Sequence, residues 1–136
     1  MDRKSFAWLI ITRPFFLVTL IVFFFNEHNW GFSKPIYVQY YLNDFLAPTV
    51  LLTLTCLFLT LIYRDLFIFS KAQLLFFFLY LSFVFELLLP YLSSSFTADK
   101  YDLLVYAIGT ILFQYLINLK LNEFKRDYRT SKKRKA

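Results

Sequence analysis

The chain has 136 residues, of which 59% are hydrophobic and 23% aromatic, and its formal net charge is +6. A soluble domain of this size exposes a large share of its residues, so this composition excludes such a domain and indicates a protein that is solvated by lipid. The basic residues cluster at the chain ends and in one short turn, a distribution typical of membrane topology that argues against a nucleic-acid-binding protein.

Four apolar runs approach the roughly 20 residues that a helix needs to cross a bilayer. None of them alternates as a strand does, and only helices and closed barrels can span lipid. We therefore expect an all-α fold, an integral membrane four-helix bundle that forms one domain over residues 1–119. The predicted helices cover residues 7–25, 45–63, 72–91 and 101–119, and residues 120–136 form a basic tail.

The first run is interrupted by Arg13 and Pro14. Proline fits the first turn of a helix and kinks or breaks a helix interior, so Pro14 predicts the point where a short interfacial segment becomes the membrane span. Arg13 is expected to extend its charged end to the headgroup layer. Polar residues 26–29 follow the run without the small residues of a cleavage site, which favours a retained helix over a signal peptide.

The longest connection, residues 26–44, is rich in aromatic residues, which favour the headgroup layer of a bilayer. Within it, the segment IYVQYYL has the pattern of a short amphipathic piece. Two interpretations stay open for this connection, an interfacial anchor and a lid that contacts a substrate. At its end, Asp44 is predicted to be the N-cap of the second helix. The aromatic residues concerned are Trp30, Phe32, Tyr37, Tyr40 and Tyr41.

Thirteen of the fifteen Lys and Arg residues precede the first helix or open it, flank the second turn, or follow the fourth helix. All of these positions lie on one side of the membrane in the predicted topology. The positive-inside rule then places both termini in the cytoplasm. The basic tail is interpreted as a topology anchor that also attracts anionic headgroups, or as a docking segment for a partner protein.

Several carboxylates occur at or near the ends of the apolar runs. Glu86 lies inside the third run, and a carboxylate at such a position is costly and marks a functional site by default. It lies about one turn before Pro90, which places it roughly 6 Å below the predicted helix end. It is either a carboxyl group hydrogen-bonded between helices or a ligand contact. Asp99 and Asp102 open the fourth helix, with Thr97 or Asp99 as the expected N-cap.

Helical spacing places Gly109 on the same face of the fourth helix as the two aspartates. A glycine on that face permits close approach of another backbone, and small hydroxyl residues commonly form helix contacts in lipid. We expect the second and fourth helices to form the packed centre, with the third supplying Glu86. The fourth-helix face comprises Asp99, Asp102, Tyr106, Gly109 and Phe113, and the second-helix stripe comprises Thr49, Thr53, Cys56 and Thr60.

No nucleophile–base pair, metal motif or phosphate-binding loop is present in the sequence, so we expect no enzyme, no cofactor and no metal site. Carboxylates without histidine can hold a hard cation through oxygen. They can also attract a cationic or amine-bearing headgroup, and the spacing does not separate these possibilities. The candidate ligand-binding residues are Glu86, Asp99, Asp102, Asp44 and Tyr106.

The last two helices resemble the VanZ-like family of small bacterial integral membrane proteins. Members have a Glu near the end of one helix, a short polar turn, two aspartates spaced D-x-x-D at the start of the next helix, and a glycine within that helix. Glu86, Asp99, Asp102 and Gly109 match this pattern, and the similarity is confined mainly to residues 86–116. The resemblance implies a small helical membrane bundle and a link to glycopeptide-antibiotic resistance and envelope lipids.

The sequence thus predicts a VanZ-like multi-pass protein of the bacterial plasma membrane that is not an enzyme. An outward-facing acidic pocket is expected to bind a lipid, glycolipid or cell-wall-related headgroup. Two alternatives stay open, an accessory subunit of a larger membrane complex and a small proton- or cation-coupled transporter that uses Glu86. The expected partners are membrane lipids, with a protein partner or a second copy of the chain in the membrane, and no nucleic acid.

Overall fold

Helices form every regular element in residues 3–28, 35–95 and 98–136, which are the residues that the computed structural model describes. Two of the helices contain a five-residue π-helical turn, at Val84–Leu88 and at Gln114–Asn118. The helices are α1 (Arg3–Ile11), α2 (Pro14–Glu27), α3 (Ile36–Tyr63), α4 (Lys71–Leu92) and α5 (Lys100–Lys135).

Within the described ranges, three helices are long and apolar enough to cross a membrane: Tyr41–Tyr63 of α3, together with α4 and α5. The pair formed by α1 and α2 passes the same test jointly but is bent by 60° at its break, and counting it as one span raises the number to four. The prediction of an all-helical chain with membrane-compatible helices is therefore confirmed for these ranges.

The predicted first helix, residues 7–25, is two helices. The break falls at Arg13, whose backbone is extended, and Pro14 is the first residue of α2. Proline has no backbone N–H and its ring clashes with the carbonyl four residues earlier, so a helix cannot continue through this position without a kink. The residue before a proline is itself displaced from helical geometry, which explains the conformation of Arg13.

Helix α3 begins at Ile36, nine residues before the predicted start of the second helix at residue 45. The prediction that Asp44 is an N-cap is therefore wrong, because Pro35 occupies that position and Asp44 lies inside the helix. The polar pair at positions 43 and 44 does not end the helix, since the Asn43 side chain accepts a 2.6 Å hydrogen bond from Asn26 of α2. Trp30 and Phe32 lie outside the described residues.

Helix α5 extends well beyond the predicted end of the fourth helix at residue 119. Its 36 residues correspond to about 54 Å at 1.5 Å per residue, more than a bilayer core requires. The basic tail therefore continues as helix to Lys135. Leu121 is fully buried, so the first turn of this tail still belongs to the packed bundle.

The centre of the bundle is the contact between α3 and α5. A Cβ added to Gly109 would lie 2.6 Å from the backbone oxygen of Phe45 and 3.2 Å from Pro48, so the two backbones touch at this point. The hydroxyl of Thr49 donates to the Gly109 carbonyl oxygen at 3.4 Å. Helix α3 also packs against α1 and α2, and α4 packs on α5. The buried small residues of α3 are Thr49, Thr53, Cys56 and Thr60.

The helix directions give the bundle two chemically different ends. The end that holds Asp65, Lys125 and Arg129 is called the basic end below. The opposite end is called the acidic end, and it holds the start of α5, the last turns of α4 and the part of α3 near Tyr41. The carboxylate side chains that the structure describes at this end are Asp44, Glu86, Asp99 and Asp102.

Candidate functional site

Four carboxylates from three helices meet at the acidic end and are called the acidic cluster. Asp44 comes from α3, Glu86 from the π-helical turn of α4, Asp99 from the N-cap of α5 and Asp102 from its first turn. The sequence predicted these four residues as candidate ligand contacts, and the structure brings them together. They come from separate segments, so helix packing is required to assemble them.

Glu86 is the side chain that joins α4 to the start of α5. It is 9% exposed, and its Oε2 accepts a 2.8 Å hydrogen bond from the backbone N–H of Asp99. Its Oε1 accepts a longer hydrogen bond of 3.5 Å from the Tyr106 hydroxyl. The π-helical turn is closed by the N–H of Leu89 donating to the oxygen of Val84. Single π-helical turns occur frequently at functional sites, which supports the assignment of this position to a site.

The helix that carries Glu86 does not end at Pro90 but continues to Leu92. Pro90 falls in the turn after the π-helical turn, where the altered hydrogen-bond register accommodates a residue without an N–H. Glu86 therefore lies about 9 Å from the helix end, because six residues at 1.5 Å each separate it from Leu92.

Asp99 caps α5 and links α5 to α3. Its Oδ1 accepts from the backbone N–H of Tyr101 at 3.0 Å, and its Oδ2 accepts from the Tyr41 hydroxyl at 2.7 Å. Both donors hold the pKa of the Asp99 carboxyl below its usual range, and the Tyr101 N–H has the larger effect. Asp99 is thus the N-cap that the sequence left open between two residues. Thr97, the other candidate, lies outside the described residues.

Asp44 of α3 and Asp102 of α5 are neighbours across the contact between the two helices. Tyr106, the fifth predicted ligand residue, is buried beneath the cluster with its ring 6.1 Å from that of Phe85. Its hydroxyl donates a hydrogen bond to Glu86, and the side chain has almost no exposed surface.

In the described part of the chain, the acidic cluster contacts hydrogen-bond donors and no cation. Among the described residues, the carboxylates within 4.0 Å of a Lys, Arg or His nitrogen are Asp65, Glu123 and Asp127, all outside this cluster. Over the same residues, no group of three or more His, Cys, Asp or Glu side chains is arranged to hold a metal ion. The cluster therefore concentrates negative charge without a counter-ion from the described part of the chain.

The basic end contrasts with this arrangement, because its carboxylate Asp65 has two cationic partners. Asp65 Oδ2 lies 2.9 Å from Lys125 Nζ and 3.0 Å from Arg129 Nη2. Burial alone would raise the pKa of the Asp65 carboxyl, but Lys125, the Leu66 N–H and Arg129 together lower it. Lys125 also donates to the backbone oxygen of Leu66.

Asn118, which the sequence pattern did not identify, binds the connection between α3 and α4 to α5. Its Oδ1 accepts from the N–H of Phe69 at 2.9 Å, and its Nδ2 donates to the oxygen of the same residue at 2.8 Å. Asn118 is 2% exposed. An amide near the end of an apolar run was the signal that could have identified it, since polar side chains in such runs find partners across helices.

Tyr41 is the second residue that sequence reasoning missed as part of the site. It was assigned to an interfacial connection, whereas it lies in α3 and its hydroxyl binds Asp99. An aromatic residue at the edge of an apolar run has the same sequence signature in both roles, so the pattern alone could not separate them.

No protein-family model, curated protein or solved structure matches the chain. The similarity of residues 86–116 to the VanZ-like family therefore stays a prediction.

Proposed function

We propose that this chain is a VanZ-like multi-pass protein of the bacterial plasma membrane whose acidic cluster binds an amine-bearing headgroup. Both termini lie in the cytoplasm in this proposal, because the basic residues concentrate at the end that carries them. The headgroup belongs to an envelope lipid, a glycolipid or a cell-wall-related molecule. The supporting observation is that four carboxylates from three helices converge without a cation within 4.0 Å in the described residues.

Electrostatics favours a cationic ligand at this cluster. Like charges in one site oppose each other, and a bound cation relieves that repulsion. The attraction is stronger here than in bulk water because the cluster borders a low-dielectric region. A primary ammonium group offers three donors, and carboxylate and phenol oxygens accept them. Quaternary ammonium groups have no N–H to donate, so the cluster should prefer a primary amine to a choline headgroup.

The height of the cluster in the bilayer suits a headgroup ligand. The distance along α5 from Lys100 to Lys120 is about 30 Å, which equals the thickness of the hydrocarbon core. If this stretch spans the core, Asp99 and Asp102 lie at the boundary between hydrocarbon and headgroups. A lipid diffusing in that leaflet would reach the cluster with its headgroup without leaving the membrane.

Native mass spectrometry of the protein released from nanodiscs tests the proposal. The discs contain equal amounts of phosphatidylethanolamine and phosphatidylcholine, and the ratio of the two lipids retained is measured. We expect the wild type to retain the ethanolamine lipid preferentially. In the double variant Asp44→Asn, Asp102→Asn, the ratio of ethanolamine to choline lipid should fall about tenfold, which corresponds to a loss of 1.4 kcal/mol in binding free energy at 25 °C. Asparagine has nearly the same shape, so the change removes charge with little effect on packing.

Asp127→Asn is the matched control, because Asp127 is a mostly exposed carboxylate on the basic half of α5. It should leave the lipid ratio unchanged. The single variant Asp102→Asn serves if the double variant does not fold, as judged by helical circular dichroism. A wild type that retains both lipids equally would overturn the amine-headgroup proposal.

A second candidate function, a proton- or cation-coupled carrier, is favoured by one observation: Glu86 is a buried carboxylate in a π-helical turn. In proteoliposomes, Glu86→Gln should abolish proton-coupled flux while keeping the acceptor oxygen for the Asp99 N–H. Glu123→Gln, at an exposed position on α5, is the control. Flux that persists in Glu86→Gln, or no flux in the wild type, would eliminate the carrier.

A further inference from the structure

The polar half of α5 carries an open cleft that the acidic cluster does not explain, called the basic cleft. It has a volume of about 320 Å³. Its lining residues recur at steps of three or four, so they occupy one face of the helix. They are Asn122, Lys125, Arg126, Arg129, Thr130 and Lys133.

The orientation of this face is set by packing on the other side of α5. The ring of Tyr128 stacks on Phe124, with centroids 6.4 Å apart, and meets Phe6 of α1 edge-on at 5.9 Å. Phe6 is buried in the main core. Because α1 holds one side of the helix in this way, the basic cleft faces away from α1.

The basic cleft keeps a net positive charge after its internal partners are counted. Asp65 is shared by Lys125 and Arg129. Arg126 approaches only its sequence neighbour Asp127, at 4.0 Å, with both side chains mostly exposed. Lys133 has no carboxylate within 4.0 Å in the described residues. One carboxylate therefore holds two cations, and at least two further cations remain for a ligand.

The part of the basic cleft nearest the membrane, residues 122–126, matches the phosphate level of the nearer leaflet. If residues 100–120 of α5 cross the hydrocarbon core, Lys125 lies about 7.5 Å beyond it, at 1.5 Å per residue. The headgroup region on each side of the core is roughly 5–7 Å thick. Lys and Arg side chains reach several ångströms along the surface while their charged ends stay in the polar layer. Lys125 and Arg126 can therefore contact lipid phosphates.

We propose that the basic cleft binds the phosphate of an anionic phospholipid in the leaflet at the basic end. Guanidinium groups bind phosphate oxygens through paired N–H donors, and an ammonium adds a point charge. Clusters of basic residues immediately after a membrane helix attract anionic lipids in general. In this proposal, the cleft face of α5 binds the anionic lipid and the remaining basic residues do not. The proposal is independent of the acidic cluster.

The test uses the full chain in nanodiscs of phosphatidylglycerol and phosphatidylcholine in equal amounts, with the retained lipids measured by native mass spectrometry. We expect the wild type to retain phosphatidylglycerol preferentially. The variant Arg126→Gln should reduce the ratio of the two lipids about fivefold. Arg126 is exposed, so folding should be preserved, and helical circular dichroism verifies it.

The matched control is Lys120→Gln, which removes an exposed basic residue from the membrane end of this segment, outside the cleft. It should keep most of the preference for phosphatidylglycerol. Equal losses in Arg126→Gln and Lys120→Gln would overturn the proposal, because general attraction by the tail would then suffice. Equal retention of both lipids by the wild type would also overturn it, in favour of a soluble acidic partner. Displacement of phosphatidylglycerol by millimolar inorganic phosphate would overturn the lipid as ligand.

Discussion

The two ends of the bundle differ in how their buried and half-buried polar groups are paired. At the basic end, Asp65 has two cationic partners and Asn118 satisfies both backbone groups of Phe69. At the acidic end, Glu86 and Asp99 accept hydrogen bonds, and none of the four carboxylates has a cation within 4.0 Å in the described residues. Paired polar groups stabilise a fold, whereas accumulated like charge lowers its stability. The polar contacts of the basic end therefore stabilise the fold, whereas the ligand proposed above would use the charge at the acidic end.

The largest effect is expected at Gly109, because it determines how closely α3 and α5 approach at the acidic end. Gly109→Val places side-chain atoms against the Phe45 carbonyl oxygen, where even a Cβ would lie 2.6 Å away. Forcing the helices apart should lower the free energy of unfolding by about 3 kcal/mol. Titration of unfolding in mixed micelles measures this loss.

Ala107→Val is the control, since Ala107 lies two residues earlier on α5 at a half-buried position. It should change the free energy of unfolding by less than about 1 kcal/mol. Gly109→Val should also weaken ethanolamine-lipid retention, because Asp44 and Asp102 are separated when the helices move apart. Retention and stability equal to the wild type would show that the acidic cluster does not depend on this contact.

The next effect is expected at the basic end. Asn118→Ala leaves the buried N–H and carbonyl oxygen of Phe69 without partners, which should cost about 2–3 kcal/mol of unfolding free energy. Asn122→Ala, one turn further along α5 at an exposed position, should have little effect on stability. The same micelle titration applies. If Asn118→Ala left lipid retention at the acidic end intact while lowering stability, the division between the two ends would be supported.

The smallest effects should have opposite signs at the two ends. Asp65→Asn removes a carboxylate with two cationic partners, and we expect a loss of at most about 1 kcal/mol, since the pair is partly exposed and screened. Asp102→Asn removes like-charge repulsion, and we expect unfolding free energy that is unchanged or raised by up to about 1 kcal/mol. A loss at both positions would contradict the comparison.

The pH dependence of the unfolding free energy tests the pairing of Asp65 in a second way. The folded-state pKa of Asp65 is lowered, so its contribution to stability is complete above its unfolded pKa of about 4 and is lost as the pH falls through the lower folded value. The wild type should therefore lose stability relative to Asp65→Asn on acidification below about pH 4. Parallel titrations of the two proteins in micelles measure the difference.

Much of the fold could be predicted from the sequence, and the failures have local causes. The bend in the first run was indicated by Pro14, whose missing N–H is a property of one residue. The start of α3 was misplaced because Asn43 and Asp44 were interpreted as a helix end. Their side chains instead find partners on α2 and α5, which no local pattern reveals. Tertiary contacts override local preference at such positions.

Composition and the length of the apolar runs by themselves determined that the chain is helical and compatible with a membrane, because burial of backbone groups in lipid leaves few alternatives. The sequence also identified the four carboxylates as candidates, since charge near hydrocarbon is costly wherever it occurs. Only the tertiary structure decided that Glu86 binds the N-terminus of α5, that Tyr41 joins Asp99, and that Asp44 faces Asp102. These contacts depend on the approach of α3, α4 and α5, which is set at distant packing positions such as Gly109.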